Sequence, residues 1–161
     1  MRKFWNDLLC ELPADFPRPS AECIEKKYDI RIIPCAIERV TDELFKRYYR
    51  DFGFETILPC RSPDYVGIKR IGARLRAFTI ELEVWSSQFG FHKYNVDYIF
   101  CLEKDENWPY STVIEFRTFL NIKEFVPIHE VDHFLYEKDG EFRKRCDEYH
   151  QQIMEKKMGL I

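Results

Sequence analysis

The clearest periodicity along the chain is helical. In IERVTDELFKRYYRDFGF the apolar residues Ile37, Val40, Leu44, Phe45, Tyr48 and Phe52 recur at steps of three and four, which predicts an amphipathic helix with one apolar face. Gly53 supplies its stop. Downstream the pattern changes. ETILPC predicts a short strand, and GIKRIGARLRAFTIELEVW predicts two strands turning near Gly72. VDYIFCLE and TVIEF, dense in β-branched and aromatic residues, predict two more strands. SSQFGFHKYN reads as loop or short helix, and KDENWPYS as a polar turn. In the tail KDGEFRKRCDEYHQQIMEKKM, residues Phe142, Cys146, Tyr149 and Ile153 fall on one stripe, which predicts a helix over about 138–158. Near the start, residues 1–20 predict a short helix followed by the proline-rich break PADFPRPS, and AECIEKKYDIRIIPCA a helix or extended lead-in ending at Pro34. The order of elements predicts one α/β or α+β layered domain over 1–161: a lead-in over 1–36, a core over about 37–125 and the C-terminal helix.

Composition narrows this only in part. A chain of 161 residues suits one domain with a substantial core, and 45% apolar with 16% aromatic residues excludes a disordered chain. A formal net charge of −3 argues against a generic polyanion binder, so any positive charge that grips nucleic acid must be gathered locally. The six cysteines, Cys10, Cys23, Cys35, Cys60, Cys101 and Cys146, are scattered with no C-x-x-C, which argues against a zinc ribbon and for reduced thiols in a cytoplasmic protein. The opening MRKFWNDLLCELPADF lacks the sustained apolar stretch of a signal peptide, and no apolar run reaches membrane-spanning length, so no membrane partner is expected.

Candidate chemistry lies in the stretch PDYVGIKRIGARLRAFTIELEVW. A strand turns residues i and i+2 to one face, so Glu81 and Glu83 are expected to point together into one site. The apolar setting IELEVW makes that pair costly unless a cation or protons compensate. Asp64, beside Pro63, lies within hairpin-return distance. Hard oxygen donors of this kind suit Mg²⁺ (or Mn²⁺), with Asp64 and Glu81 as expected ligands and the Leu82 carbonyl between the glutamates. Glu83 is a further ligand, or the group that orients or deprotonates a water. This is the equipment of metal-assisted phosphodiester hydrolysis.

A Pro-Asp pair, a strand-rich spacer and an acid-x-residue pair resemble the motif of the PD-(D/E)XK restriction-endonuclease-like nuclease superfamily. Glu83 stands where that motif most often has lysine, an E-x-E variant similar to some type II restriction enzymes. The flanks ERVTDELF, FGFE, PDY, IELEVWSSQF and VDYIFCLEKDENWP resemble a group of nucleases in this superfamily, over roughly residues 37–115. The resemblance implies an α/β restriction-endonuclease-like fold, a central mixed β-sheet flanked by helices. It implies a metal-dependent endonuclease acting on DNA, with Asp64, Glu81 and Glu83 catalytic and Glu38 a further acid for the metal. Ser87 and His92 then occupy polar positions after the catalytic strand, and Asp97 opens the next strand. Nucleases that cut both strands often use two active sites, so a homodimer is a secondary expectation. An alternative on the same fold is a module with a disabled site that binds nucleic acid or protein without cutting.

Two other patterns bear on function. Lys69, Arg70, Arg74 and Arg76, with Arg61 nearby, suit a phosphate grip beside the acids, or a solvated hairpin whose charges keep a sheet edge from pairing. His129-Glu130-Val131-Asp132-His133 is a literal H-E-x-x-H, which on a helix would present His129 and His133 to zinc as in a metallopeptidase. Pro127 just before it and Asp132 within it argue against that role. Trp85 is expected in the core.

Overall fold

The structure is a computed structural model, and it describes residues 12–160. Of the short helix expected in 1–20, residues 1–11 lie outside the described part, and 12–20 form a turn and extended chain. Helix α1 (Ala21–Tyr28) starts at Ser20, whose hydroxyl accepts from the Cys23 amide at 3.2 Å, and ends where Asp29 turns left-handed at φ 53°. Strand β1 (Ile30–Ile33) follows directly. The clearest expected helix is α2 (Glu38–Tyr48), prolonged by a 3₁₀ turn over Tyr49–Phe52 and stopped by Gly53 at φ 88°.

Strands β2 (Phe54–Pro59), β3 (Tyr65–Ile71) and β4 (Arg74–Trp85) come next, with Gly72 at φ 63° turning β3 into β4. A 3₁₀ segment, Ser86–Phe91, leads to β5 (Tyr98–Glu103) and β6 (Thr112–Glu115). Then come the single-turn helix α3 (Phe116–Phe119), strand β7 (Glu124–Pro127), and helices α4 (Val131–Lys138) and α5 (Gly140–Lys157).

The main sheet has the order β2-β3-β4-β5-β6. Short connections make β2, β3 and β4 antiparallel, whereas the chain crosses back before β5 and again before β6, making those pairings parallel. The result is a mixed five-stranded sheet flanked by helices, in agreement with the α/β expectation. On one face Tyr65, Ile80, Leu82, Val84, Phe100 and Leu102 pack against Val40 and Phe45 of α2. Phe45 is fully buried, its ring 4.8 Å from Phe100 and 5.2 Å from Tyr65. On the other face a smaller cluster of Phe89, Val96 and Ile99 lies beneath the 3₁₀ segment.

One feature is absent from the expected order. β1 and β7 pair in parallel as a separate two-stranded ribbon, Ile30 opposite Glu124 through Ile33 opposite Pro127. A further core forms around it from Ile24, Val131, Phe134, Leu135, Phe142 and Cys146. The expected stripe on α5 thus buries Phe142 and Cys146 within the chain itself. Among the described residues, no helix is long and apolar enough to cross a membrane.

Candidate metal centre

β4 lies at the centre of the sheet, bonded to β3 along one edge and β5 along the other. Strand alternation turns Glu81 and Glu83 to the face away from α2, where they are only 4% and 1% exposed. Their backbone is held from beneath: Thr41 of α2 donates its hydroxyl to the Glu83 carbonyl at 3.0 Å. After β4 the chain folds back over the acids in a tightly bonded 3₁₀ segment. Gln88 Oε1 accepts from the Val84 and Trp85 amides at 3.0 and 3.1 Å. The Ser86 and Ser87 hydroxyls bond to the Asp105 carboxylate, and Trp108 Nε1 donates to the Ser86 carbonyl at 2.7 Å. Phe89 stacks on the His92 ring, centroids 5.4 Å apart at 29°.

The segment so anchored aims His92 at the acids. His92 Nε2 lies 2.8 Å from Glu83 Oε1 and 3.3 Å from Glu81 Oε1. The Tyr94 hydroxyl donates to Glu81 Oε2 at 2.8 Å. Donor atoms of Glu81, Glu83 and His92 all fall within 4.8 Å of one another. Burial pushes the Glu83 carboxyl up to about 7; the charges of Glu38 and Glu81 act the same way, and the His92 contact pulls partly back. Burial also raises Glu81, with Asp64 adding to the rise and Tyr94 and His92 opposing it. Two buried carboxyls with further acids around them and one imidazole against them form a site short of positive charge. Carboxylate oxygens and an imidazole nitrogen at this spacing fit a divalent cation.

Asp64 sits just before β3, and its Oδ2 accepts from the Leu82 amide at 2.8 Å. The side chain thereby continues the β3–β4 ladder one step past the Tyr65–Ile80 pair. It is close enough to raise Glu81, and the three donors that lie within 4.8 Å of one another are those of Glu81, Glu83 and His92. Glu38 is the exposed first residue of α2 and acts on Glu83 by charge. Asp97 stands apart: its Oδ2 accepts from the Thr79 amide and hydroxyl at 2.8 and 3.1 Å, tying β4 to the entry of β5. Ser87 is likewise occupied in holding the 3₁₀ segment through Asp105.

The basic residues divide by strand parity. Lys69 pairs with Arg76 across β3–β4, and Arg74 and Arg76 lie an odd number of residues from Glu81 on the same strand, so these three face away from the acids. Lys69 is enclosed by rings, its Nζ 4.5 Å from the Phe54 centroid, 4.7 Å from that of Tyr98 and 3.0 Å from the Tyr98 hydroxyl. Arg70 alone of the four shares the acid face, where it pairs with Glu55 at 3.0 Å. Trp85, at the strand end, is 40% exposed rather than core. It rims a cleft of about 130 Å³ between the main sheet and the ribbon, lined also by Ile33, Leu102, Phe125 and Glu130.

The H-E-x-x-H stretch does not build a helical ligand pair. His129 lies in a 3₁₀ turn before α4 begins at Val131, and His129 and His133 pair with different acids, Glu130 at 3.8 Å and Glu137 at 3.1 Å. Asp132 instead grips Arg18 with two bonds of 2.7 and 2.9 Å. Sequence reasoning overlooked Tyr94, which reaches Glu81 from a bend two residues after His92 and carries no periodic signal. No protein-family model matches the chain, and the comparisons with curated proteins and with solved structures give no match.

Proposed function

We propose that the protein is a divalent-metal-dependent endonuclease of restriction-endonuclease-like fold that hydrolyses phosphodiester bonds of DNA. The observation that carries this reading is the pair Glu81 and Glu83, buried side by side on the central strand with the His92 imidazole against both. Burying two carboxyls is costly, and structural stability alone gives no reason to gather them. Mg²⁺ or Mn²⁺ bound there would polarise a phosphoryl oxygen and acidify an attacking water. In this reading Glu81 and Glu83 hold the ion, Glu38 and Asp64 deepen the negative field that attracts it, and Asp64 keeps the strand in register.

The β3–β4 hairpin is the natural DNA contact. Its residues 70–77 are exposed, it carries Arg70, Arg74 and Arg76 on its two faces, and a two-stranded ribbon fits a major groove. Lys69, held among rings, contributes to the hairpin's packing instead.

The test is cleavage of plasmid and linear duplex DNA in Mg²⁺, Mn²⁺ or EDTA. Wild type is expected to cut only with metal, and Glu81→Gln and Glu83→Gln to lose at least about 100-fold in rate with circular dichroism unchanged. Retention of DNA without cutting by wild type would replace this reading with that of a binding module. Equal cutting by both variants would overturn the assignment of the site.

A further inference from the structure

Resting on the metal reading above, we infer that His92 is itself a ligand of the ion, and that it makes the site select a first-row transition ion such as Mn²⁺ over Mg²⁺. The geometry points to this in three ways. Nε2 lies 2.8 and 3.3 Å from Oε1 of Glu83 and of Glu81. Ligands at about 2.1 Å from an octahedral ion stand about 3.0 Å apart along an edge, so the nitrogen already has the spacing of a neighbouring ligand to each carboxylate oxygen, and the donor atoms of all three residues lie within 4.8 Å of one another. The contacts around them also favour these atoms. Tyr94 occupies Glu81 Oε2, which leaves Oε1 toward the imidazole, and Asp64 gives Oδ2 to the Leu82 amide. The third converging donor is thus a nitrogen alongside two carboxylate oxygens.

The imidazole is also positioned before any ion arrives. It stacks on Phe89, which belongs to the small core with Val96 and Ile99, and the 3₁₀ segment before it is pinned by Gln88, Ser86, Ser87 and Trp108. A ligand held in this way loses little freedom on binding. Mg²⁺ favours oxygen donors and gives up its waters reluctantly, whereas imidazole nitrogen suits softer first-row ions. One nitrogen among carboxylates therefore shifts preference toward Mn²⁺ without abolishing Mg²⁺ binding.

The experiment is calorimetric titration of the full chain, stripped of metal with EDTA and then dialysed, using MnCl₂ and MgCl₂ separately. Wild type is expected to bind Mn²⁺ at least about 10-fold more tightly than Mg²⁺. His92→Ala is expected to lose about 10-fold or more for Mn²⁺ while Mg²⁺ affinity changes by less than about 3-fold, so the preference collapses. Pulsed electron paramagnetic resonance of the wild-type Mn²⁺ complex gives a second readout that needs no variant: coupling to an imidazole ¹⁴N is expected. Absence of that coupling, or an unchanged Mn²⁺/Mg²⁺ ratio in His92→Ala, overturns the inference while leaving the metal site in place, provided Glu81→Gln weakens both ions. Failure of wild type to bind either ion overturns the site itself.

Discussion

Glu83 is the residue whose ionisation is most exposed to a change of conditions. It is 1% exposed, and its carboxyl is pushed up to about 7 from an ordinary value of 4.5. Between those two values the folded metal-free protein holds a proton that the unfolded chain has released. The contribution to stability is therefore complete below the ordinary value and is lost as pH rises through about 7. In urea titrations of the metal-free protein between about pH 5 and about pH 8, this group is expected to lower the midpoint as pH increases, and Glu83→Gln to remove that component. Asp105, Glu115 and Asp139 act oppositely. Their carboxyls are held below the ordinary range, so their contribution is lost on acidification and separates from that of Glu83 by pH. A variant with the same slope as wild type would show that Glu83 is not the titrating group.

At the scale of elements, β4 shows what the sequence made legible and what it did not. Its period of two brought Glu81 and Glu83 to one side, as expected, because a central strand cannot change parity without a bulge. The same arithmetic puts Arg74 and Arg76 on the opposite side; their closeness in sequence to the acids concealed it. The bond from the Leu82 amide to Asp64 could not be read from residue type, since it depends on how the chain returns before β3. β7 escaped notice because four residues carry too little period and its partner β1 lies at the other end of the described chain. Packing within the hairpin gives a further prediction. A Cβ at Gly67 would meet the Phe54 ring at 2.5 and 2.6 Å and Ile80 Cδ1 at 2.7 Å. Gly67→Ala is expected to destabilise the protein by about 1–3 kcal/mol in chemical denaturation, because these rings and methyls belong to a closed core. No loss of stability would show that Phe54 and Ile80 shift freely.

At the scale of the molecule, the β1–β7 ribbon stands between two cores. Ile33 and Phe125 belong to the core of the main sheet, while Ile30 and Val126 belong to the core beneath α1, α4 and α5. The second core is the smaller, and it draws on elements from both ends of the described chain. Backbone amides of α1, α4 and α5 are therefore expected to exchange hydrogen together, at lower denaturant than those of β3, β4 and β5. One common opening for both groups would show that the ribbon joins the cores into a single cooperative unit. The ribbon has a further consequence for the acids. The four residue pairs of the ribbon send their apolar side chains into both interiors. Loosening at the carboxyl-terminal end is then expected to leave Glu81 and Glu83 in place: the second core opens first, while β4 stays held in the first.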